Sequence, residues 1–422
     1  MRTGTGAPLR LGIVGLGRAA AQLLPSVAAH PHVVPAAGAD PDPAARARFT
    51  ADFGAPAFAD AESLCAHGGV DAVYVATPHQ LHAGDVAVAA AHGKHVIVEK
   101  PMALTLDDCN AMTAVTRRHG IVLIVGPTHG MDPAVERMRE IIASGELGQL
   151  RMIVNLNYGD FLYRPRRPEE LDTARGGGIV YNQIPHQIEI ARALDRGSLR
   201  SVRAVAGIWD PQRPTEGAMT ALLEFEDGVA ASLTYSGYDH FDSDELHGWI
   251  GELGDEKTTG NHGASRRALR ALRDADDGNP DRKTDGDGDA EAGGHAAAYA
   301  ESRLKAASGF AGRGMMRLAG GTAHQPHFGF LLVSCDGGDM RASADGVVVY
   351  GEDGVRDLPL PPGRAYPNKD RVLDELYDAV AHGVAPLHDG AWGTETVAAT
   401  LALLKSARER REIVLDAPVP HV

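Results

Sequence analysis

The run Gly12-Ile-Val-Gly15-Leu-Gly17-Arg-Ala-Ala20 constrains this chain more than any other stretch. It follows the apolar strand candidate Leu9–Val14 and opens a helix through Arg18–His30. In such a turn the first glycine permits a backbone that side chains resist. The second lets the chain approach a pyrophosphate, and a small third residue allows close helix–sheet packing. Gly15, Gly17 and Ala20 fill those places. The helix N-terminus then presents free N–H groups to the phosphates. A second strand, Val33–Ala39, ends at Asp40. A carboxylate there accepts hydrogen bonds from a ribose diol and repels a 2′-phosphate, which selects NAD over NADP.

The surrounding pattern supports that reading. Through residues 9 to 125, short apolar strands alternate with helices: strands at Ala72–Ala76, His95–Val98 and Ile121–Val125, helices opened by Pro41 and Pro43 and running to about Phe53, from Gly84 to His92 and from Thr105 to His119. Such alternation predicts one doubly wound parallel sheet over residues 1–126. Beyond Gly126, Pro133–Ser144 is amphipathic. Strand-like stretches follow at Leu150–Leu156, Val202–Trp209, Met219–Glu226 and Val229–Tyr235, and later at Leu331–Cys335, Met340–Ala344 and Val347–Tyr350. Turn signals at Glu226-Asp227-Gly228 and Asp345-Gly346 join them as hairpins. Residues 127–422 are thus expected to form an α+β domain: an open, mainly antiparallel sheet with helices on one face. Lys369–His382 and Thr394–Arg411 read as closing helices, and the Asp/Gly-rich stretch 274–294 as a mobile surface loop.

Charge and cysteine content narrow the function classes. Among 422 residues, Lys plus Arg is 41 and Asp plus Glu is 56, a net charge of −15. That balance disfavours nucleic acid or anionic lipid as a partner, yet a pocket of opposite local charge can still take an anionic small molecule. No apolar run reaches the roughly 18–20 residues that span a bilayer, and no signal peptide is evident at the N-terminus. The three scattered cysteines fit neither a disulfide framework nor a Cys-based zinc site. A reducing, cytoplasmic setting is expected.

Beyond the glycine turn, three features carry chemistry. Glu99-Lys100-Pro101 closes a strand at its carboxyl end, where ligands of open α/β sheets sit. Burial beside a cationic cofactor would lower the Lys100 pKa and suit it to take a hydroxyl proton. In Gly176-Gly177-Gly178-Ile-Val-Tyr-Asn182-Gln-Ile-Pro-His186, Asn182 and His186 fall four apart and would share a helical face. Arg164, Arg166, Arg167 and Arg175 make a dense basic patch in an acidic chain, a candidate for a substrate with one or more carboxylates. An exposed loop pairing with Glu169, Glu170 and Asp172 suits them equally. His79 and His82 precede a helix near the cofactor-side loops. No metal site is expected: Asp285, Asp287 and Asp289 lack the Gly and Glu of a calcium loop, and His324 and His327 lack nearby partners.

Gly15-Leu-Gly17-Arg-Ala-Ala20, Ala76-Thr77-Pro78 with His82, and Glu99-Lys100-Pro101-Met-Ala-Leu resemble the glucose–fructose oxidoreductase/inositol dehydrogenase (Gfo/Idh/MocA) family. The resemblance covers nearly the whole chain. It implies that Gly15, Leu16, Gly17, Arg18, Ala19, Asp40, Thr77, Pro78, His82, Glu99 and Lys100 hold NAD, and that the protein is a homo-oligomer. Members commonly carry Asp where this chain has Asn182; Asn orients a hydroxyl but is no base. Lys100 and His186 remain as the proton-handling pair. Asn157–Asp172, Met138–Gly148, Gly176–His186 and Val333–Asp336 are similar to the branch holding phthalate cis-dihydrodiol dehydrogenases. That likeness implies oxidation of a dihydrodiol of an aromatic dicarboxylate to the catechol, with Arg164, Arg166, Arg167, Arg175, Asn182 and His186 on the substrate. The rival readings are an inositol or sugar-derivative dehydrogenase, an NAD-dependent glycoside hydrolase without net redox, and a non-catalytic nucleotide sensor.

Overall fold

The computed structural model describes residues 7–277, 300–305, 307, 309–313, 324–361 and 367–415. Its first part runs β1 (Leu9–Val14), α1 (Arg18–Ala29), β2 (Val33–Ala39), α2 (Pro43–Phe53), β3 (Ala57–Phe58), α3 (Ala61–Ala66), β4 (Ala72–Val75), α4 (His82–Ala91), β5 (His95–Val98), α5 (Leu106–His119) and β6 (Leu123–Val125). The six strands form a parallel sheet in the order β3-β2-β1-β4-β5-β6. β4 is buried along its whole length, as a strand covered on both faces must be. The expected doubly wound sheet is present. The short β3 and α3 were not foreseen, since two strand residues and six helical ones carry too little periodicity to register.

Local chemistry sets several boundaries. Thr105 caps α5 by accepting from the Asp108 N–H at 3.1 Å, with Asp107 and Asp108 in the first turn and Arg117, Arg118 and His119 in the last. Asp42 caps α2, and Gly54 ends it in the left-handed region.

The second part continues with α6 (Pro133–Ser144), β7 (Leu150–Tyr158), α7 (Gly178–Asn182), α8 (Ile184–Asp195), β8 (Leu199–Gly207), β9 (Ala218–Phe225), β10 (Ala230–Ser236), α9 (Ala264–Asp277), α10 (Phe310–Arg313), β11 (Phe330–Cys335), β12 (Gly338–Ser343), β13 (Gly346–Gly351), β14 (Gly354–Pro359), α11 (Pro367–Tyr377), α12 (Gly390–Glu409) and β15 (Ile413–Val414). Nine strands form one sheet, ordered β14-β13-β12-β11-β7-β10-β9-β8-β15. Every neighbouring pair is antiparallel except β7 with β10. One face buries Ile153, Leu223, Leu233, Val333 and Met340 in a core with Met138 of α6, Ile188 of α8 and Leu403 of α12. The other face exposes Met152, Val205 and Leu222. This is the period-two alternation of a sheet covered on one side.

Two expectations need correction. Residues 274–277 belong to α9 rather than to a loop; 278–294 lie outside the described residues. Asn182 and His186 do not share a helix either. α7 ends at Asn182, Gln183 separates the two helices, and α8 starts at Ile184 with Pro185 in its first turn.

The chain beyond residue 127 also completes the first sheet's core. Val372, Leu373 and Leu376 of α11 pack with Leu11, Ile13 and Leu24, and Phe310 is fully buried near Phe49 and Phe53. A buried aromatic of this kind contributes about 1.5–3 kcal/mol. α12 packs on α5 and β6 as well as on β8, so one helix bridges the two sheets.

Candidate active site

A cleft of about 560 Å³ lies at the carboxyl ends of the parallel strands and is closed from the other side by the second sheet's loops. A neighbouring hollow of about 750 Å³, lined by Trp209, Tyr238 and Arg266, contains neither the glycine turn nor Lys100.

The glycine turn has the form a dinucleotide needs. Gly15 has φ +91°, and a Cβ there would lie 2.7 Å from the Ala76 carbonyl oxygen. A Cβ on Gly17 would meet nothing within 4 Å, so its Cα faces open space. No side chain caps α1 and no acidic residue sits in its first turn, leaving its N–H groups for an anion. Asp40 accepts from the Leu16 N–H at 2.8 Å and from the Asp42 N–H at 2.8 Å. Its carboxylate is thereby fixed beside the turn. Arg18, Ala19 and Thr77 reach the cleft, while Leu16 is buried. Pro78 is exposed at the rim. His82 is different. It is fully buried and spans two carbonyls, Thr77 O at 3.0 Å and Met102 O at 3.1 Å. It shapes the loop from behind and does not line the cleft.

Lys100 extends from the end of β5 and donates to the Asn182 backbone oxygen at 2.7 Å. Burial lowers its pKa to about 8, even though Glu99 and Glu252 pull the other way. Glu99 is set by the Tyr74 hydroxyl and by the Lys100 N–H at 3.1 Å. The Asn182 amide donates to Gly176 O and Gly178 O, 3.1 and 2.8 Å away, so the glycine run positions it. His186 lies in the same cleft. Burial and the positive charges of Lys100, His129 and Lys369 keep it neutral, and its Nδ1 has no hydrogen-bond partner.

The four arginines separate. Arg164 lines the cleft and donates through Nε to Asp160 at 2.6 Å; its other guanidinium N–H groups have no partner among the described residues. Arg166 also borders the cleft, but it is committed to the Phe161 carbonyl at 2.7 and 3.0 Å, to Glu170, and to the Phe161 ring. Arg167 and Arg175 are exposed and outside the cleft, Arg167 against Glu169 and Glu170. For those two, the geometry is that of a solvated loop.

Sequence reasoning missed a polar cluster facing Lys100. His129 Nδ1 bonds Asp132 at 2.7 Å and its Nε2 bonds Glu252 at 3.2 Å. These carboxylates raise the His129 pKa to about 9 against the cost of burial. The His129 ring stands edge-on to His186, with centroids 4.8 Å apart. Lys369 and His327 also reach the cleft. A His-x-x-Asp directly after the last parallel strand was the available signal for His129; nothing local marks Glu252 or Lys369. Among the described residues, no group of three or more His, Cys, Asp or Glu is arranged to hold a metal ion, and no helix is long and apolar enough to cross a membrane.

A parallel sheet with an open, uncapped glycine turn and a cleft along its carboxyl ends is the architecture of an NAD-binding oxidoreductase. The chain belongs to the Gfo/Idh/MocA family. Residues 9–127 match that oxidoreductase family's NAD-binding Rossmann fold, and residues 135–252 match the GFO/IDH/MocA C-terminal domain. The chain is 40% identical over 403 residues, 95% of each protein, to 1-carboxy-3-chloro-3,4-dihydroxycyclohexa-1,5-diene dehydrogenase of Comamonas testosteroni. A crystal structure from Bordetella bronchiseptica RB50, designated a dehydrogenase, is 41% identical with TM-score 0.85, covering 97% of this chain and 100% of that one. Levoglucosan dehydrogenase, solved with NADH and levoglucosan, shares the fold at 19% identity and TM-score 0.69, covering 98% of this chain and 100% of that one.

Proposed function

We propose that this enzyme oxidises a cis-dihydrodiol of an aromatic carboxylate, the phthalate type first, to the corresponding catechol. Residues 1–126 hold NAD and 127–422 supply most of the substrate side. Gly15, Gly17 and the α1 N-terminus would take the pyrophosphate, and Asp40 the adenosine ribose. Nicotinamide, when bound, supplies the two-electron oxidation of the carbinol carbon.

The chain's own residues handle the proton. Lys100 in its neutral form accepts the hydroxyl proton, with Asn182 O steering its amine. Neutral His186 lies in the same cleft as a second proton acceptor. Arg164 holds a ring carboxylate through its unpaired N–H groups. The enone first formed tautomerises to the catechol, and aromatisation drives the reaction forward.

The observation that carries this reading is Lys100, its pKa lowered to about 8, in one cleft with Arg164. The relative from Comamonas testosteroni acts, by its name, on a carboxylated dihydroxycyclohexadiene. The test is NADH absorbance with NAD and phthalate 4,5-cis-dihydrodiol, beside the benzoate dihydrodiol. A flat trace with both, when NAD binding is confirmed, sinks the substrate assignment. The carboxylates Asp160, Asp242, Asp244 and Glu252 in the cleft favour a polyol as the second reading, and inositols and sugar acids belong in the same assay. We further propose a homo-oligomer, supported by the exposed Met152, Val205 and Leu222 of the open sheet face, and a reducing cytoplasmic setting, supported by three unpaired cysteines.

A further inference from the structure

Glu252 lies on the loop after β10, within the cleft that holds Lys100 and His186. Its Oε1 takes the His129 Nε2 bond, and its backbone oxygen accepts from the His327 N–H at 3.2 Å. The loop is thus pinned at both ends of the residue. Its second carboxylate oxygen has no hydrogen-bond partner among the described residues, and the side chain is 37% exposed, towards the cleft. Asp132 holds His129 from behind, so the imidazolium keeps Glu252 ionised. An ionised acceptor with one free oxygen, among the cations Lys100, Arg164 and Lys369, is a socket for a hydroxyl donor.

Lys100 serves only one hydroxyl of a vicinal diol. The other needs an acceptor in the same cleft, and an acceptor that a bound ligand covers without giving it a donor discriminates strongly against that ligand. We infer that Glu252 is a specificity-determining residue that accepts a hydrogen bond from the hydroxyl that is not oxidised, with His129 and Asp132 as its positioning residues. The inference rests on the dihydrodiol reading above.

The experiment measures binding rather than turnover. With NADH present, the affinities of 4,5-dihydroxyphthalate, 3,4-dihydroxybenzoate and the 3- and 4-hydroxybenzoates are read by NADH fluorescence. A hydrogen bond to a charged acceptor predicts that wild type prefers the dihydroxy ligands by roughly ten- to a hundredfold over one of the monohydroxy ones. Glu252→Gln should lose most of that preference. Glu252→Asp, which keeps the charge but withdraws the oxygen, should lose it too, and covers the case in which Glu252→Gln misfolds; NADH affinity reports the fold of both. Equal weakening of mono- and dihydroxy ligands by these variants overturns the inference alone, since that is the signature of a general charge effect. Failure of all four to bind wild type with NADH overturns the dihydrodiol reading, and the inference with it.

Discussion

The Lys100 ammonium nitrogen lies 2.7 Å from the backbone oxygen of Asn182, across 82 residues of sequence. This contact ties the segment after β5, an interior strand of the parallel sheet, to the end of α7. It fixes the amine in the cleft without spending a side-chain acceptor on it. Lys100→Ala should cut turnover by roughly a hundred- to ten-thousandfold, with NAD affinity within a fewfold of wild type. Stopped-flow turnover and NADH fluorescence check the two halves.

On the proposed mechanism, the same amine should set the pH profile. Its pKa is lowered to about 8, and only the neutral form accepts a proton. Alcohol oxidation should therefore rise with pH, with kcat/KM levelling above an apparent pKa near 8. In Lys100→Arg that limb should vanish from the range between 6 and 10. A limb unchanged in the variant would assign it to another group.

Gly15 and Gly17 make a contrasted pair. Gly15→Ala places a methyl against the Ala76 carbonyl at φ +91° and should cost at least about 1–3 kcal/mol of stability, seen as a lower Tm. Gly17→Ala meets no protein atom, so Tm should hold while NAD affinity falls, because the methyl occupies the anion's approach. Equal loss of Tm in both variants would contradict this division.

The arginines should also divide. Arg164→Gln should raise KM for a carboxylated diol by roughly ten- to a hundredfold, the worth of a charged hydrogen bond. Arg167→Gln and Arg175→Gln, both on the exposed loop, should leave KM nearly unchanged. A KM shift in Arg175→Gln comparable with that of Arg164→Gln would restore the broader basic patch.

Acid should unfold the protein through its buried histidines. His247 and His327 stack with centroids 4.0 Å apart, and burial lowers their pKa values to about 3 and about 4; burial lowers that of His186 as well. Below the unfolded value of about 6.5, the unfolded chain binds protons that the folded chain refuses. Stability should fall as pH drops from 6.5 towards 4, by up to about 1.4 kcal/mol per pH unit for each such histidine. Urea midpoints at three pH values give the slope, and His247→Asn should make it shallower.

The parallel sheet was legible because its signals are local. A glycine turn, the Thr105 cap, the prolines that open α2 and alternating apolar runs act within a few residues, so β1, β2, α2, α5 and β5 fall where the pattern puts them. The hairpins of the second sheet were legible for the same reason. The parallel pairing of β7 with β10 was not, because nothing in either strand states its neighbour.

By itself, the sequence determined that an NAD-type turn precedes Asp40 and that a lysine follows β5 at its carboxyl end. The tertiary structure alone decided which charges meet. It placed Arg164 in the cleft, left Arg167 and Arg175 in solvent, and turned His82 into a buried brace. It brought Glu252 to His129 across 123 residues, and packed Val372, Leu373 and Leu376 of α11 beneath the first sheet. A side chain's chemistry is written at its own position. Its pKa, its partners and its access to a ligand depend on groups that only folding brings within a few ångströms.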